Sequence, residues 1–323
     1  PAGLAVADTL NRAGFGATLF ESAAHPGGIL RYGIPDFKLE KWVVDRRIRL
    51  MEEEGVVFET GVTAGEDISY PYLTRLFDAI CLCCGAREPR DLSVPGRDLK
   101  GVYFALDYLI GQNKRNSGEE ISPSEDITAK GKTVVVLGGG DTGSDCLGTA
   151  LRQGAKKVYQ FEILPKPPVH RAESTPWPMW PNMLRQTHAH KEGGDLRWSV
   201  MTKAFSGEKG MLRKLLCTEV EWQTQEAGGP PIPVEKQGTG FEVEADLVLL
   251  AMGFVGPARN RIVEDLGIAL DPRGHVMADE KHMTSVPGIF VSGDMTLGQS
   301  LVVRAIADGR KAAKGMMEYV GGK

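Results

Sequence analysis

The sequence has 323 residues, with 38 Lys and Arg against 42 Asp and Glu, a net charge of −4. This near balance argues against a nucleic-acid-binding protein, which usually carries a basic stripe. A hydrophobic content of 42% is enough for a core, and the length favours roughly two domains. No apolar run is long enough for a membrane span, and no signal peptide is recognised.

The glycine and cysteine contents narrow the class of protein further. The chain has forty glycines that follow no sequence repeat, which favours turns and close approaches of the backbone. Both features are typical of nucleotide-binding proteins. Five cysteines, three of them at positions 81, 83 and 84, do not have the pattern of a disulfide framework. We therefore expect a reducing, cytoplasmic setting. The first residue is Pro1 rather than Met, so the chain looks cut or processed.

The first part of the sequence alternates between helical and extended patterns. The predicted elements are a helix over 2–11, a strand over 17–21, turns over 26–35, a helix over 40–54, and strands over 56–62 and 79–84. Alternating helices and strands predict parallel sheets joined by crossover helices.

The second part begins after a polar stretch over 113–132, which is the best candidate for an inter-domain segment. A strand is predicted over 133–137, a helix through 151, a strand over 157–163, an ordered proline-rich loop over 165–181, strands over 195–220 interrupted at Ser206-Gly207, a turn over 226–233, a strand over 245–252, an apolar segment over 288–294 and a helix over about 299–319.

The sequence Gly138-Gly139-Gly140-Asp141-Thr142-Gly143 has the form G-x-G-x-x-G between a strand and a helix. In this motif the first glycine makes a tight turn and the second admits a pyrophosphate. The third lets the helix pack on the strand. Glu162, nineteen residues after Gly143, ends the next predicted strand, where an acid binds a ribose. The pattern predicts a dinucleotide site rather than a plain turn.

The start of the chain contains only the last third of a second such motif. Gly3 would be its third glycine, and Glu21, at a predicted strand end, would hold a ribose. The preceding strand and two glycines are not in the sequence. Taken from the residues alone, an amphipathic surface helix is the better interpretation.

Three further clusters have plain structural interpretations. The cysteines at 81, 83 and 84 lie in an apolar strand, which favours buried structural thiols over redox or metal chemistry. His188 and His190 have too few companions for a metal site and are expected in a solvated loop. For Trp177 and Trp180, within the proline-rich loop, packing is favoured over partner docking.

Several motifs together resemble one family. They are Gly27-Gly28-Ile29-Leu30, the segment 31–39, Cys84-Gly85-Ala86, Gly138 to Asp145, the segment 161–168 with Trp177-Pro178, and Gly293-Asp294. They resemble the small (beta) subunit of glutamate synthase, in the two-dinucleotide flavoprotein group that includes adrenodoxin reductase and the reductase half of dihydropyrimidine dehydrogenase. The resemblance covers essentially the whole chain.

The resemblance implies an α/β fold with two Rossmann-like domains. An FAD domain over 1–111 and 254–323 would be interrupted by a nicotinamide domain over 112–253, and the first FAD-domain strand would be missing. The implied FAD residues are Gly3, Glu21, Gly27, Gly28, Ile29, Leu30, Lys38, Val62, Gly293, Asp294, Gln299, Ser300, Leu301 and Val302. The implied nicotinamide residues are Gly138, Gly139, Gly140, Asp141, Thr142, Gly143, Glu162, Ala251 and Gly253, with Lys166 and Arg171 on a loop able to reach a phosphate.

The implied activity is hydride transfer from NAD(P)H to FAD, with electrons passing on to iron–sulfur clusters. No acid–base residue is expected to be catalytic and no metal ligands are identified. The clusters are expected in an upstream domain or a partner, such as the large subunit. NADH is expected to be preferred over NADPH, because relatives that use NADPH carry Arg where this chain has Glu162. The FAD site is expected to be incomplete in this chain, which would then be purified with little or no FAD.

Two alternatives stay open at this point. One is a ferredoxin-linked or electron-bifurcating reductase subunit with the same core and another acceptor. The other is a non-catalytic module that binds only a nicotinamide dinucleotide, or nothing.

Overall fold

The computed structural model describes residues 1–123, 126–179, 181–225, 229–257 and 261–322. The helices are α1 (Ala2–Arg12), α2 (Ile29–Tyr32), α3 (Lys41–Glu53), α4 (Tyr70–Leu76), α5 (Ala105–Ser117), α6 (Asp141–Arg152), α7 (His188–Glu192), α8 (Arg261–Asp265), α9 (Asp294–Leu297) and α10 (Val302–Gly321). The strands are β1 (Thr18–Glu21), β2 (Val57–Thr60), β3 (Ile80–Leu82), β4 (Glu88–Pro89), β5 (Val102–Phe104), β6 (Thr133–Leu137), β7 (Lys157–Glu162), β8 (Asp195–Trp198), β9 (Val200–Glu208), β10 (Met211–Gln223), β11 (Ile232–Glu235), β12 (Phe241–Glu244), β13 (Leu247–Leu250), β14 (Phe254–Gly256) and β15 (Ile289–Val291).

Most of the long predicted elements are confirmed. The strands predicted before residue 165 and over 245–252, and the helices over 2–11, 40–54 and 299–319, are present with ends shifted by a few residues. The short strands β5 and β12 and the helix α5 were not predicted. Trp180 and the first residues of the predicted turn over 226–233 lie outside the described residues.

The chain divides into two compact units, one formed by residues 1–90 with 253–323 and the other by residues 91–252. The predicted boundaries, after 111 and before 254, differ from this division. The physical reason is β5, which pairs in parallel with β13 and so adds residues 102–104 to the sheet of the second unit. The following helix, α5, packs on α6 of the same unit.

The second unit is built on a parallel sheet with the strand order β5-β13-β6-β7-β8. Residues 134–136 and 247–249 in its middle strands are 0% exposed. Such continuous apolar strands are typical of a parallel sheet covered on both faces. Because β6 and β7 are adjacent and parallel, their carboxyl ends bring the glycine motif and Glu162 to the same edge.

A second, antiparallel layer of this unit is formed by β9, β10, β11 and β12. The predicted interruption at Ser206-Gly207 is wrong, because both residues lie within β9, paired with Lys214 and Leu212. The hairpin turns at Lys209 and Gly210 instead, both with positive φ, of 51° and 77°. Two consecutive positive φ values are the mark of a type I′ turn, which matches the twist of the strands.

The first unit contains two parallel strand pairs, β1 with β2 and β3 with β15, and the antiparallel pair β4 with β14. Within the described residues these pairs form separate sheets. Helix α10 packs along α1, and both helices present small residues at the contact. No helix in the described part of the chain has the length and apolar character needed to cross a membrane.

The contact between α1 and α10 gives a stability prediction. A Cβ added at Gly309 would lie 2.5 Å from the backbone oxygen of Ala2 and 3.1 Å from the Cβ of Ala5. Gly309→Ala should therefore lower the free energy of unfolding by about 1–3 kcal/mol, the usual cost of overpacking. Gly321→Ala, in the same helix with no atom within 4 Å of the added Cβ, is the control. Urea denaturation measures both, and equal stabilities would contradict the close packing.

Candidate functional site

The turn between β6 and α6 is built so that side chains are excluded from it. Gly138 has φ of 124°, and a Cβ there would lie 2.2 Å from the carbonyl oxygen of Ala251. A Cβ at Gly143 would lie 2.2 Å from the carbonyl oxygen of Gly138. Only glycine fits at either position, because both obstructing atoms belong to the backbone. The predicted neighbours Ala251 and Gly138 are therefore in contact.

Gly140 differs from the two other glycines because the space beside it is open. It is the N-cap of α6, no side chain caps the helix, and a Cβ at Gly140 would meet no atom within 4 Å. Gly139, Gly140 and Asp141 are exposed, whereas Gly143 is buried and Thr142 is half-buried. The free N–H groups and the dipole of this three-turn helix favour an anion at this position. The turn thus has the shape of a pyrophosphate cradle.

Glu162 lies at the end of β7, where the sequence predicts it, and its carboxylate is held by backbone groups on both oxygens. Oε2 accepts a hydrogen bond from the N–H of Gly139 at 2.6 Å, and Oε1 accepts one from the N–H of Leu164 at 2.9 Å. These two backbone donors fix the side chain beside the glycine turn. The arrangement is suited to bind the hydroxyls of a ribose.

Gln160 is a polar residue beside the turn that sequence reasoning missed. It lies in β7, is 3% exposed, and its Nε2 donates to the carbonyl oxygen of Gly138 at 2.8 Å. Its Oε1 lies 2.9 Å from Nε2 of His190. A glutamine in a strand that is otherwise apolar at its buried positions was the signal in the sequence.

The two histidines do not lie in a solvated loop, so this prediction is wrong. Both belong to the short helix α7, whose N-cap is Thr187. His188 is exposed, but His190 is half-buried and contacts Gln160. The reason is a capping box, in which the ring of His190 accepts the N–H of Thr187 at 3.2 Å. No group of three or more metal-ligating side chains occurs among the residues that were searched, which are the described ones.

The proline-rich loop after β7 is ordered by its own hydrogen bonds. Nη1 of Arg171 donates to the carbonyl oxygens of Thr175 and Met179, at 2.8 and 3.0 Å. Nζ of Lys166 lies 5.1 Å from the ring centroid of Trp198. Trp177 is 83% exposed, so the expected packing of this side chain against the rest of the chain is not observed. The contacts of both cations hold the loop rather than the glycine turn.

In the first unit, the predicted FAD residues Gly3 and Glu21 lie near the start of α1 and at the end of β1. Gly3 lies in α1, and a Cβ there would lie 3.3 Å from Cβ of Cys83, which is the close helix–strand approach predicted for a third glycine. Glu21 ends β1, and its Oε1 accepts the N–H of Ala23 at 3.0 Å. The N–H of Val62 donates to the carbonyl of Glu21 at 3.1 Å, so these two predicted residues meet.

The predicted flavin-wrapping segment forms a tight turn leading into α2. Gly27 and Gly28 have φ of 129° and 54°, conformations that favour glycine. Ile29 and Leu30 begin α2, and Ile29 is 46% exposed although it is apolar. Lys38 follows in an exposed turn. The predicted turn over 26–35 is therefore partly helical.

The predicted residues near the end of β15 are organised by a buried carboxylate. Asp308 is 7% exposed, and its Oδ2 accepts hydrogen bonds from Ser292 Oγ at 2.7 Å and from the N–H of Gly293 at 2.8 Å. Gly293, with φ of 76°, caps α9, and Asp294 is its first residue. Oδ1 of Asp294 accepts a hydrogen bond from Ser300 Oγ at 2.7 Å. Sequence reasoning missed Asp308.

The remaining predicted residues lead into α10. Oε1 of Gln299 accepts the N–H of Phe254 at 2.9 Å, and a Cβ at Gly253 would lie 2.6 Å from that oxygen. Leu301 is the N-cap of α10 and Val302 its first residue, with no capping side chain. This start of a 20-residue helix is a second position where the helix dipole favours negative charge.

The cysteines of β3 and its end are free thiols. Sγ of Cys81 and Cys83 lie 3.6 Å apart. The hydrogen bond with Cys83, and then burial, raise the pKa of Cys81 well above its usual value. Because a thiol is reactive as the thiolate, a raised pKa opposes redox chemistry at this position.

Comparisons with known proteins agree with this architecture. A family model described as pyridine nucleotide-disulphide oxidoreductase matches residues 1–309. A glutamate synthase [NADPH] small chain from Mycobacterium tuberculosis is 51% identical over 325 residues, covering 100% of this chain and 65% of that protein. Glutamate synthase [NADH] from Schizosaccharomyces pombe is 44% identical, covering 97% of this chain and 15% of that protein. The chain thus spans less than two thirds of these relatives, and the resemblance found in the sequence is confirmed.

Solved structures show the same fold at low identity. FprA of M. tuberculosis in complex with NADPH has a TM-score of 0.76 at 17% identity, covering 100% of this chain and 83% of that chain. Thioredoxin reductase of T. acidophilum has a TM-score of 0.67 at 19% identity, covering 99% of this chain and 95% of that chain. The prediction of an α/β fold with two Rossmann-like domains is confirmed.

The surroundings of Asp294 predict a pH effect. Burial raises the pKa of this carboxyl, and the hydrogen bonds from Ser300 oppose the rise. Since the folded state binds this proton more tightly than the unfolded chain, ionisation of Asp294 lowers stability as the pH rises through its folded pKa. Asp294→Asn keeps an oxygen acceptor for Ser300 and should gain stability relative to the native chain as the pH rises through this range.

The measurement is a carboxyl-carbon NMR titration combined with urea denaturation at each pH. The midpoint for Asp294 should lie above the ~3.9 of an ordinary aspartate. Ser300→Ala removes an opposing hydrogen bond and should raise that midpoint further. A midpoint below the ordinary value, or a loss of relative stability in Asp294→Asn with rising pH, contradicts the assignment.

Proposed function

We propose, from the fact that this chain belongs to the pyridine nucleotide-disulphide oxidoreductase family, that it binds NAD(P)H and FAD and transfers reducing equivalents from the first to the second. The observation that carries the proposal is the glycine turn of residues 138–143. Backbone atoms exclude a Cβ at Gly138 and Gly143, yet the space at Gly140 is open. This open space lies at the start of α6, which no side chain caps, and the combination supports a bound pyrophosphate.

The nicotinamide dinucleotide is assigned to the second unit. Its pyrophosphate would bind the N–H groups at the start of α6, and its adenosine ribose would bind Glu162. Asp141 and Thr142, in the first helical turn, complete the cradle. The backbone of Ala251 packs against Gly138 and so borders the turn. The pairing of a fixed carboxylate with exposed amides supports this assignment.

FAD is assigned to the first unit. The residues that would hold it are the sequence-predicted set from Gly3 to Val302, of which Gly293, Asp294 and the α10 start are the most closely linked. FAD supplies the hydride acceptor and the donor of single electrons. The residues of this chain would orient it, and the dipole of α10 would favour negative charge near the start of that helix.

We assign the electrons leaving the flavin to iron–sulfur clusters outside residues 1–323. The names of the relatives support glutamate synthesis as the process, with a large subunit as the partner. The free cysteines support a reducing, cytoplasmic compartment. A ferredoxin-linked reductase would have the same two nucleotide sites and differ in its acceptor.

We further propose that NADH is preferred over NADPH. The 2′-phosphate of NADPH would approach Glu162, whose carboxylate is fixed by the N–H groups of Gly139 and Leu164. The cations of the next loop, Lys166 and Arg171, are engaged with Trp198 and with loop carbonyls. The relatives' names include both cofactors, so the expected preference for NADH follows from the fixed carboxylate of Glu162 and not from the relatives.

The test of the proposed function is anaerobic mixing of the full chain, loaded with FAD, with NADH. The visible flavin absorbance should be bleached within the mixing experiment and should return on addition of a one-electron acceptor. A chain that binds a nicotinamide dinucleotide but takes up no FAD, even when FAD is added in excess, would instead support the non-catalytic alternative. A chain that binds neither would refute the proposal.

The open space at Gly140 gives a binding prediction. Gly140→Val would place a branched side chain where the pyrophosphate would approach, and its Cβ would meet no protein atom within 4 Å. The dissociation constant for the nicotinamide dinucleotide should rise at least tenfold, or about 1.4 kcal/mol. Gly240→Val is the matched control, since Gly240 is exposed in the same unit and its added Cβ would come no nearer to another atom than 4.0 Å, the distance to the carbonyl oxygen of Cys217. If calorimetry finds the same dissociation constant in both variants as in the native chain, the glycine turn does not bind the pyrophosphate.

The charge of Glu162 gives a selectivity prediction. Glu162→Gln removes the charge and keeps an oxygen acceptor for the N–H of Gly139. The ratio of the NADPH to the NADH dissociation constant should fall by about one to two decades, the screened remainder of a repulsion of about 4 kcal/mol at ~4 Å. Glu244→Gln, the same change on an exposed strand position of this unit, is the control. Tighter binding of NADPH by the native chain, or an unchanged ratio in Glu162→Gln, would exclude Glu162 as the selector.

A further inference from the structure

We propose that Gln160, oriented by His190, is a positioning residue for the dinucleotide site, because it fixes the peptide unit between Gly138 and Gly139. The proposed function supplies the ligand in this inference. The hydrogen-bond geometry stands on the structure alone.

The Gly138–Gly139 peptide unit is held at both of its polar ends. Its carbonyl oxygen accepts Nε2 of Gln160 at 2.8 Å, and its N–H donates to Oε2 of Glu162 at 2.6 Å. The preceding N–H, of Gly138, donates to the carbonyl of Phe161 at 2.8 Å. Three consecutive residues of β7 therefore hold this glycine pair, and a flip of the peptide would break both side-chain bonds.

The clamp is needed because the turn contains three glycines in succession. Glycine adopts positive and negative φ with little steric penalty, so Gly138, Gly139 and Gly140 have no side chains to fix their backbone. A disordered turn would lose conformational entropy on binding a ligand, which weakens affinity. Hydrogen bonds from a rigid strand remove that cost before the ligand arrives.

His190 sets which way the amide of Gln160 faces. Nδ1 of His190 accepts the N–H of Thr187 at 3.2 Å, so the neutral ring carries its proton on Nε2. That Nε2–H donates to Oε1 of Gln160 at 2.9 Å, which leaves Nε2 of Gln160 to donate to Gly138. A reversed amide would place donor against donor and acceptor against acceptor. Each group in this series therefore donates to the next, from Thr187 through His190 and Gln160 to the carbonyl oxygen of Gly138.

The first experiment compares two glutamines, Gln160 in β7 and Gln153 at the C-cap of α6. Gln160→Met keeps the length of the side chain and removes both hydrogen bonds. Gln153→Met is the control, since the amide of Gln153 also makes several hydrogen bonds, with Tyr108, Ala129 and Gln112, none of them in the turn. In the full chain, Gln160→Met should raise the NADH dissociation constant about tenfold, and Gln153→Met by less than about twofold.

The second experiment tests the relay through His190. His190→Gln offers an N–H donor to Gln160 and should keep most of the affinity, whereas His190→Leu offers none and should resemble Gln160→Met. A residue that merely fills space would give the opposite order, because Leu is the better apolar replacement. Equal losses in Gln160→Met and Gln153→Met, or tighter binding by His190→Leu than by His190→Gln, would overturn the proposal.

A third measurement needs no nucleotide and separates this inference from the proposed function. Amide hydrogen exchange at Gly139 should be faster in Gln160→Met than in the native chain and unchanged in Gln153→Met. If the native chain binds no dinucleotide, the proposed function fails, and the exchange at Gly139 still decides whether the clamp exists. If Gly140→Val abolishes binding but Gln160→Met changes neither affinity nor exchange, the function stands and the positioning role is refuted.

Discussion

The structure depends on one constraint, the exclusion of side chains from the turn at the end of β6. Because Gly138 approaches the backbone of Ala251 and Gly143 approaches the backbone of Gly138, the helix α6 begins directly against the sheet edge. That approach gives the helix its position and leaves its first N–H groups facing open space at Gly140. The lack of side chains, however, also removes what normally orders a backbone. Order must come from neighbours, and β7 supplies it.

The first unit meets a related constraint with different chemistry. Gly293 lies at the end of β15 with a positive φ, and a Cβ there would lie 2.9 Å from Cβ of Ala2. Its N–H is held by the buried carboxylate of Asp308, which also accepts Ser292. In the second unit the amide of Gln160 donates to the carbonyl oxygen of Gly138. In the first unit the carboxylate of Asp308 accepts the N–H of Gly293. In both, a buried polar side chain orders a glycine, and its burial is tolerated because its hydrogen bonds are made.

The parts of this site that sequence predicts are the local ones. The strand at 133–137, the G-x-G-x-x-G turn and the acid at Glu162 follow from periodicity and spacing within some thirty residues, and each is where expected. Gln160 and His190 were not predicted, because their contact joins β7 to a helix thirty residues later, across a proline-rich loop. The hairpin was misplaced for a similar reason. Gly207 looked like a turn glycine, yet it is small because a Cβ there would lie 2.2 Å from the carbonyl of Met211.

The clamp also changes how cofactor selectivity must be understood. Under the proposed function Glu162 would bind the ribose, but the same carboxylate accepts the N–H of Gly139 and so holds the turn. An arginine at this position would provide charge for a 2′-phosphate and no acceptor for that N–H, because a guanidinium only donates. The proposed selectivity and the order of the turn would thus be coupled through one side chain. Under the proposed function, a change of cofactor that keeps affinity would require a second acceptor for the N–H of Gly139 as well as a new cation, since the charge of Glu162 would act on the ribose end of the ligand while its hydrogen bond holds the protein turn.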